Sequence, residues 1–155
     1  MNIDGVQQIR LTTHEDDRGY LFEIIHKTDP FMTQFGQVYV VGDRIEKIVR
    51  AFHKHQELHD WFCIVKGAAK FVLVDDRADS PTYRKSQILV GSDRSPSLIV
   101  VPPGIYHGWM SLQPDTIMIS TASHVYNREK PDEVRVPPDS FNDLIGEDPW
   151  VIKGK

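Results

Sequence analysis

The densest run of chemically capable side chains is Arg50-Ala51-Phe52-His53-Lys54-His55-Gln56-Glu57-Leu58-His59-Asp60. In an extended strand alternate side chains share a face, so His53 and His55 project to the same side. Two imidazoles on a face that looks into a cavity can move protons near neutral pH or hold a metal ion. At an exposed strand end the same residues would be solvated histidines and charges with no joint task. A second segment, Pro102-Pro103-Gly104-Ile105-Tyr106-His107, places another histidine directly after a proline–glycine turn that opens a strand. Either segment alone reads as readily structural as functional; the pair points to a site.

The elements that must hold these histidines are short strands. Stretches rich in Val, Ile, Phe and Tyr predict strands near 7–12, 20–26, 37–41, 48–53, 61–66, 68–74, 86–90, 98–101, 109–112 and 117–123. Turn formers separate them, among them Asp16-Asp17-Arg18-Gly19, Gly42-Asp43, Lys66-Gly67, Ser80-Pro81 and Gly91-Ser92-Asp93. No helix is predicted before residue 130. Many short strands at near-regular spacing predict an all-β double-sheet jelly roll. After Tyr126 the composition turns polar and proline-rich. That predicts one domain over 1–155: a barrel over about 7–126, and a tail over about 127–155 laid on the barrel or on a partner. One helical turn is expected near 142–145.

Composition closes off several classes. With 155 residues and 40% hydrophobic types, the chain can bury one core. A formal charge of −4 argues against a binder of nucleic-acid phosphates, which needs a basic face. The single cysteine, Cys63, cannot close an internal disulfide; it reads as a small core residue of a soluble chain in a reducing compartment, the cytoplasm. The first residues lack a basic-then-apolar leader pattern, and no apolar run approaches membrane-spanning length.

Together the two histidine segments resemble the paired motifs of the cupin superfamily. The first has the spacing His-x-His, four residues, acid, six residues, Gly, as His53, His55, Asp60 and Gly67, with Asp where cupins usually carry Glu. The second has Pro-x-Gly-x-x-His as Pro102, Gly104 and His107, with Ser111 where Asn is usual. That resemblance implies a double-stranded β-helix. A narrower one, from Asp17 to Tyr126, is to nucleotide-sugar cupins: the dTDP-4-dehydrorhamnose 3,5-epimerase family and the related dTDP-sugar 3,4-ketoisomerases. It rests on Asp17-Arg18-Gly19 followed by Glu23, on Arg50-Ala51-Phe52-His53, and on Val74-Asp75-Asp76-Arg77-Ala78-Asp79-Ser80-Pro81-Thr82-Tyr83. Pro102 to Trp109, and Tyr126 before its polar stretch, complete it.

This resemblance implies an isomerase that needs no cofactor. It would remove a proton beside the carbonyl of a 4-keto sugar nucleotide, in the synthesis of cell-surface polysaccharide or glycosylated natural products. It implies His53 as general base and Tyr126 as the acid on the opposite face, with His55 joining His53 if the reaction is ketoisomerisation. Arg18, Glu23, Arg50, His107 and Trp109 are the implied substrate-binding residues. The implied assembly is a homodimer with exchanged N-terminal strands, in which Arg18 serves the neighbouring subunit. A base poised near neutrality needs a carboxylate behind it. The family uses Asp there, and Asp139, Asp143 and Asp148 in the tail are all of the right type.

Some features depart from the family. Asp60 stands where epimerases place a lysine. The short spacing and His55 look like the ketoisomerases, whereas the Ser-Pro-Thr and His-Gly segments look like the epimerases. Arg50 and His53 are an odd number of residues apart, so a regular strand sends them to opposite faces; a bulge or a contact across a subunit boundary would reconcile them. Read from residues alone, Arg18 serves equally as a turn arginine paired with Asp16 or Asp17, and Tyr126 as a core or rim residue. Arg77, Ser80, Pro81 and Thr82 read as a structural turn. Two other functions stay open. One is a metal-dependent cupin holding a divalent transition metal with His53, His55, Asp60 and His107. The other is a sugar-binding cupin without catalysis.

Overall fold

The computed structural model describes residues 2–154. Its strands are β1 (Gln7–Arg10), β2 (Thr13–Asp16), β3 (Gly19–Phe22), β4 (Gln37–Asp43), β5 (Val49–Lys54), β6 (Asp60–Lys66), β7 (Ala68–Asp75), β8 (Ser86–Ser92), β9 (Ser97–Val101), β10 (Ile105–Ser111), β11 (Thr116–Ala122) and β12 (Val134–Arg135). One short helix, α1 (Asn142–Ile145), follows. Two five-stranded antiparallel sheets form, in the orders β1-β9-β6-β11-β4 and β12-β5-β10-β7-β8, while β2 and β3 make a hairpin of their own. This is the all-β jelly roll predicted from the strand spacing.

The strands read as continuous apolar runs because both faces of the central ones are covered. Phe62 and Ile64 of β6, Ile99 and Val101 of β9 and Met118 of β11 meet Ala69, Phe71 and Leu73 of β7 and Trp109 of β10 between the sheets. The alternate residues Trp61, Cys63, Leu98 and Val100 face the other way and are roofed by Phe22, Ile24, Ile25, Phe31 and Met32. On the outer side of the second sheet Phe52, Val72, Val74 and Tyr106 are covered by Val136, Phe141, Leu144, Ile145 and Trp150. The Phe141 ring meets Phe52 edge-on at 4.9 Å, and Trp150 donates its indole N–H to the Pro138 carbonyl at 2.9 Å.

Several local details differ from the sequence expectation: the strand expected over 109–112 starts earlier, as β10, and Gly42-Asp43, expected as a turn, end β4. The strand expected over 20–26 stops at Phe22, because the next residues turn: the His26 amide donates to Asp29 Oδ2 at 2.7 Å. β2 is exposed along its whole length and has no apolar alternation to betray it. β12 is two residues long, too short for any period. Where β10 meets β5, His107 pairs with His53 but Trp109 pairs with Arg50. Three residues of β5 therefore span two of β10, a bulge that resolves the Arg50–His53 parity conflict. Gly108 is required opposite it: a Cβ there would lie 2.3 Å from the Ala51 Cβ.

Candidate active site

A cavity of about 500 Å³ opens between the two sheets. One wall carries Arg50, His53 and His55 from β5 and its extension, with His107 and Trp109 from β10. The facing wall carries Gln37, Tyr39 and Val41 of β4, Asp60 and Phe62 of β6, and Met118 of β11. Tyr126, Glu133 and Arg135 come in from the segment after β11. The imidazoles of the two histidine segments thus meet in one pocket, with the His55 and His107 ring centres 5.6 Å apart.

Each histidine is oriented through its Nδ1. That of His53 lies 2.6 Å from Glu133 Oε1. Burial alone would raise the Glu133 carboxyl, but hydrogen bonds from Arg135 and His53 outweigh it and hold the group below its ordinary value. An ionised carboxylate only accepts, so His53 Nδ1 carries a proton, and Nε2 is the ring nitrogen left for the pocket. His55 Nδ1 donates to the Asp132 backbone carbonyl, and His107 Nδ1 donates to the Ile105 carbonyl at 3.1 Å. Both therefore turn Nε2 toward Asp60 Oδ2, at 3.4 Å from His55 and 3.5 Å from His107. Burial pushes the Asp60 carboxyl up to about 7, against the pull of His55. Burial, with His55 adding to it, drops His107 to about 3. His107 is accordingly neutral at pH 7.

The carboxylate behind His53 is Glu133, not one of the three aspartates considered from sequence. Asp139, Asp143 and Asp148 are all exposed. Glu133 is delivered by the β12–β5 pairing, in which Arg135 lies opposite His53. Its neighbour Asp132 pins the same segment: Oδ1 accepts the Gln56 amide at 2.8 Å, and Oδ2 accepts those of Glu57 and Leu58 at 2.9 and 3.0 Å. The signal for this pair was an acidic dipeptide before Val134-Arg135-Val136, a single alternation too short to stand out.

The metal set considered from sequence is also altered. His55, Asp60 and His107 bring one ligand atom each within 4.8 Å of one another, whereas His53 stands apart with Nδ1 engaged by Glu133. Two imidazole lone pairs and a carboxylate suit a divalent transition metal chemically.

The substrate-binding candidates divide. Arg50 forks onto Asp43 Oδ1 at 2.9 and 2.7 Å and lies over the Trp109 ring, 5.9 Å from its centre. His107 and Trp109 line the pocket, and Tyr126 lines its mouth, 54% exposed. Arg18 and Glu23 do not reach the pocket of their own chain. Arg18 is exposed and paired with Asp16, and Glu23 lies beside His26, 3.3 Å from Nε2.

A two-sheet antiparallel roll with a histidine-lined cavity between its sheets defines a cupin-type protein equipped for acid–base chemistry. The family model described as dTDP-4-dehydrorhamnose 3,5-epimerase matches residues 1–142. The spore coat polysaccharide biosynthesis protein SpsL of Bacillus subtilis (strain 168) is 34% identical over 137 residues, covering 87% of this chain and 89% of that one. The probable low-salt glycan biosynthesis epimerase Agl13 of Haloferax volcanii is 30% identical over 146 residues, covering 89% and 90%. Among solved structures, the dTDP sugar isomerase of Desulfovibrio desulfuricans G20 shares the fold, with a TM-score of 0.84 at 20% identity over 96% of this chain and 92% of that one. The chain belongs to the dTDP-4-dehydrorhamnose 3,5-epimerase family and is an isomerase of the sugar-nucleotide epimerase type, acting in carbohydrate biosynthesis.

Proposed function

We propose that the chain epimerises a nucleotide-linked 4-keto sugar, with His53 as the general base. The observation that carries this reading is the Glu133–His53 pair, which engages Nδ1 and leaves Nε2 for a cavity large enough for a sugar. His53 Nε2 takes a proton from a carbon beside the carbonyl. The C–H pair becomes a C=C bond as the carbonyl pair moves onto oxygen, and Glu133 stabilises the imidazolium. Tyr126, at the mouth, returns a proton on the other face, and His53 gives its own to solvent. The substrate's carbonyl is the electron sink, so the step needs no cofactor. Arg50, steadied by Trp109, would meet the diphosphate, for which a guanidinium fork is suited, and His107 would contact the sugar. The names of SpsL and Agl13 point to a surface glycan as the product's destination.

The functional unit proposed is a homodimer with exchanged N-terminal strands. Arg18 and Glu23 would then enter the partner's pocket. Support comes from the β2–β3 hairpin, which pairs with no other strand among the described residues and leaves Tyr20 67% and Leu21 59% exposed. The outer face of edge strand β4 likewise exposes Val38 and Val40. A cytoplasmic setting fits a chain whose one cysteine is a buried free thiol; among the described residues no helix is long and apolar enough to cross a membrane.

Incubation with dTDP-, CDP- and GDP-linked 4-keto sugars in D₂O should replace a ring C–H with deuterium, and His53→Asn should abolish this. Absence of exchange across the panel would sink the reading. Tyr126→Phe separates the subtypes: an epimerase loses inversion, while a ketoisomerase working through His53 and His55 is little changed. A second reading, a metal-dependent enzyme, is favoured by the convergence of His55, Asp60 and His107. Near-stoichiometric metal in protein purified without a metal-affinity tag, with activity lost to chelator, would establish it.

A further inference from the structure

Inverting a ring carbon needs a base on one face of the sugar and an acid on the other, and here the two faces are two different sheets. His53 and His107 belong to the β5–β10 wall. On the opposite wall β4 alternates: Gln37, Tyr39 and Val41 line the cavity, while Val38 and Val40 point outward. Tyr39 pairs in register with Ser120 of β11, and Ser120 with Phe62 of β6. That places the phenol on the inner surface of the wall that also carries Asp60. Ser120 is fully buried on the same inner face as Tyr39.

Tyr39 is 42% exposed as a residue. Burial first, then the Asp60 and Glu133 carboxylates, push the phenol above its ordinary value, with Ser120 drawing it the other way. The group is an intact O–H throughout the neutral range. The two cations lining the cavity, Arg50 and Arg135, are already held by Asp43 and Glu133.

We propose that Tyr39 is a second proton donor, acting on the ring face opposite His53 at a depth that Tyr126, at the mouth, does not reach. The inference rests on the epimerase reading and extends it. A 4-keto sugar has two carbons flanking its carbonyl, and in a cleft one of them lies deeper than the other. After His53 has taken the C–H proton, the C=C pair of the enolate takes the Tyr39 hydroxyl proton as the carbonyl re-forms. The phenolate recovers a proton from water, and the His53 imidazolium releases one to water, so the cycle closes without any co-reactant.

The test is NMR of dTDP-4-dehydro-6-deoxyglucose turned over in D₂O, following both exchange and configuration at each flanking carbon. Tyr39→Phe should keep His53-dependent exchange but lose inversion at one carbon by roughly a hundredfold or more, the usual span for a missing general acid. Tyr126→Phe should spare that carbon. Inversion at both carbons within about twofold of the parent chain would overturn the proposal while leaving the epimerase reading intact, a difference too small for a lost acid. If the parent chain exchanges no carbon-bound proton with this or any other keto sugar of the panel, the reading falls and this inference with it. Thermal midpoints check folding of each variant. Should Tyr39→Phe not fold, 3-fluorotyrosine at position 39 changes the acidity with little change of shape. A shift in inversion rate at the deep carbon, with exchange unmoved, would support the role; no shift would overturn it.

Discussion

Two segments on either side of the barrel bring charged residues toward the site in opposite ways. The stretch from Asp132 to Val136 is bound into its own chain. Asp132 accepts three backbone amides, its carbonyl holds His55, Glu133 holds His53, and Val136 exchanges backbone hydrogen bonds with Phe52. The β2–β3 hairpin carries Arg18 on a sheet of two strands, with its charge paired to its neighbour Asp16. Both segments are polar and short, so composition does not separate them. What separates them is whether backbone groups of the barrel remain to be paired beside them. The difference teaches that the orientation of the proposed base is built within one chain here, whereas the contacts proposed for Arg18 and Glu23 would need a second copy.

The largest effect expected from breaking this contrast is at Glu133. Glu133→Gln should lower kcat by about a hundred- to ten-thousand-fold, since the amide can no longer stabilise the imidazolium; steady-state kinetics with an unchanged thermal midpoint would check it. Next comes Asp132→Ala, which strands three amides and frees the segment that carries Glu133. It should cost about 2–4 kcal/mol of stability, three lost charge-assisted bonds set against partial rescue by water, and lower kcat as well; denaturant unfolding alongside kinetics measures both.

Acid should release the same segment without mutation. Asp132 and Glu133 are both held below their ordinary values, in each case because hydrogen bonds to the carboxylate outweigh burial. Carboxylates depressed on folding stabilise fully above their unfolded values, roughly pH 4 to 4.5, and lose that contribution as pH falls through the folded ones. The tail should therefore loosen below pH about 4, read by the fluorescence of Trp150, which packs on Phe52 at 5.4 Å. The smallest effect on the fold is expected at the hairpin. Arg18→Ala should leave the thermal midpoint unmoved and raise KM, with the parent's activity falling on dilution as dimers part. A concentration-independent activity and an unaltered KM would remove the hairpin from the proposed site.

Much of this was open to reading in the chain itself. The stretches 61–65 in β6, 71–74 in β7 and 98–101 in β9 are continuously apolar because both faces are covered, and they declare strands wherever they fall. The turn at Pro102-Pro103-Gly104 sets His107 at the start of β10, and the spacing of His53 and His55 puts both on the pocket side. Glu133 was hidden for a different reason. It meets His53 from 80 residues away, through a strand of two residues, and no periodicity survives at that length. Asp60 was read as standing in a lysine's place or as a metal ligand with His53, His55 and His107; the fold turns it to His55 and His107 and leaves His53 out. Tyr39 gave no motif at all, since its side-chain direction depends only on which face of an edge strand meets the pocket.

Local order was therefore settled by the linear chain: alternation, turn chemistry and the two histidine segments act over a few residues and need no distant partner. Which carboxylate serves which imidazole, how the β5 bulge returns Arg50 to the side of His53, and which wall Tyr39 faces were decided only when remote strands came into register. Those outcomes depend on pairing across long loops, where a shift of one residue would send every side chain to the other face.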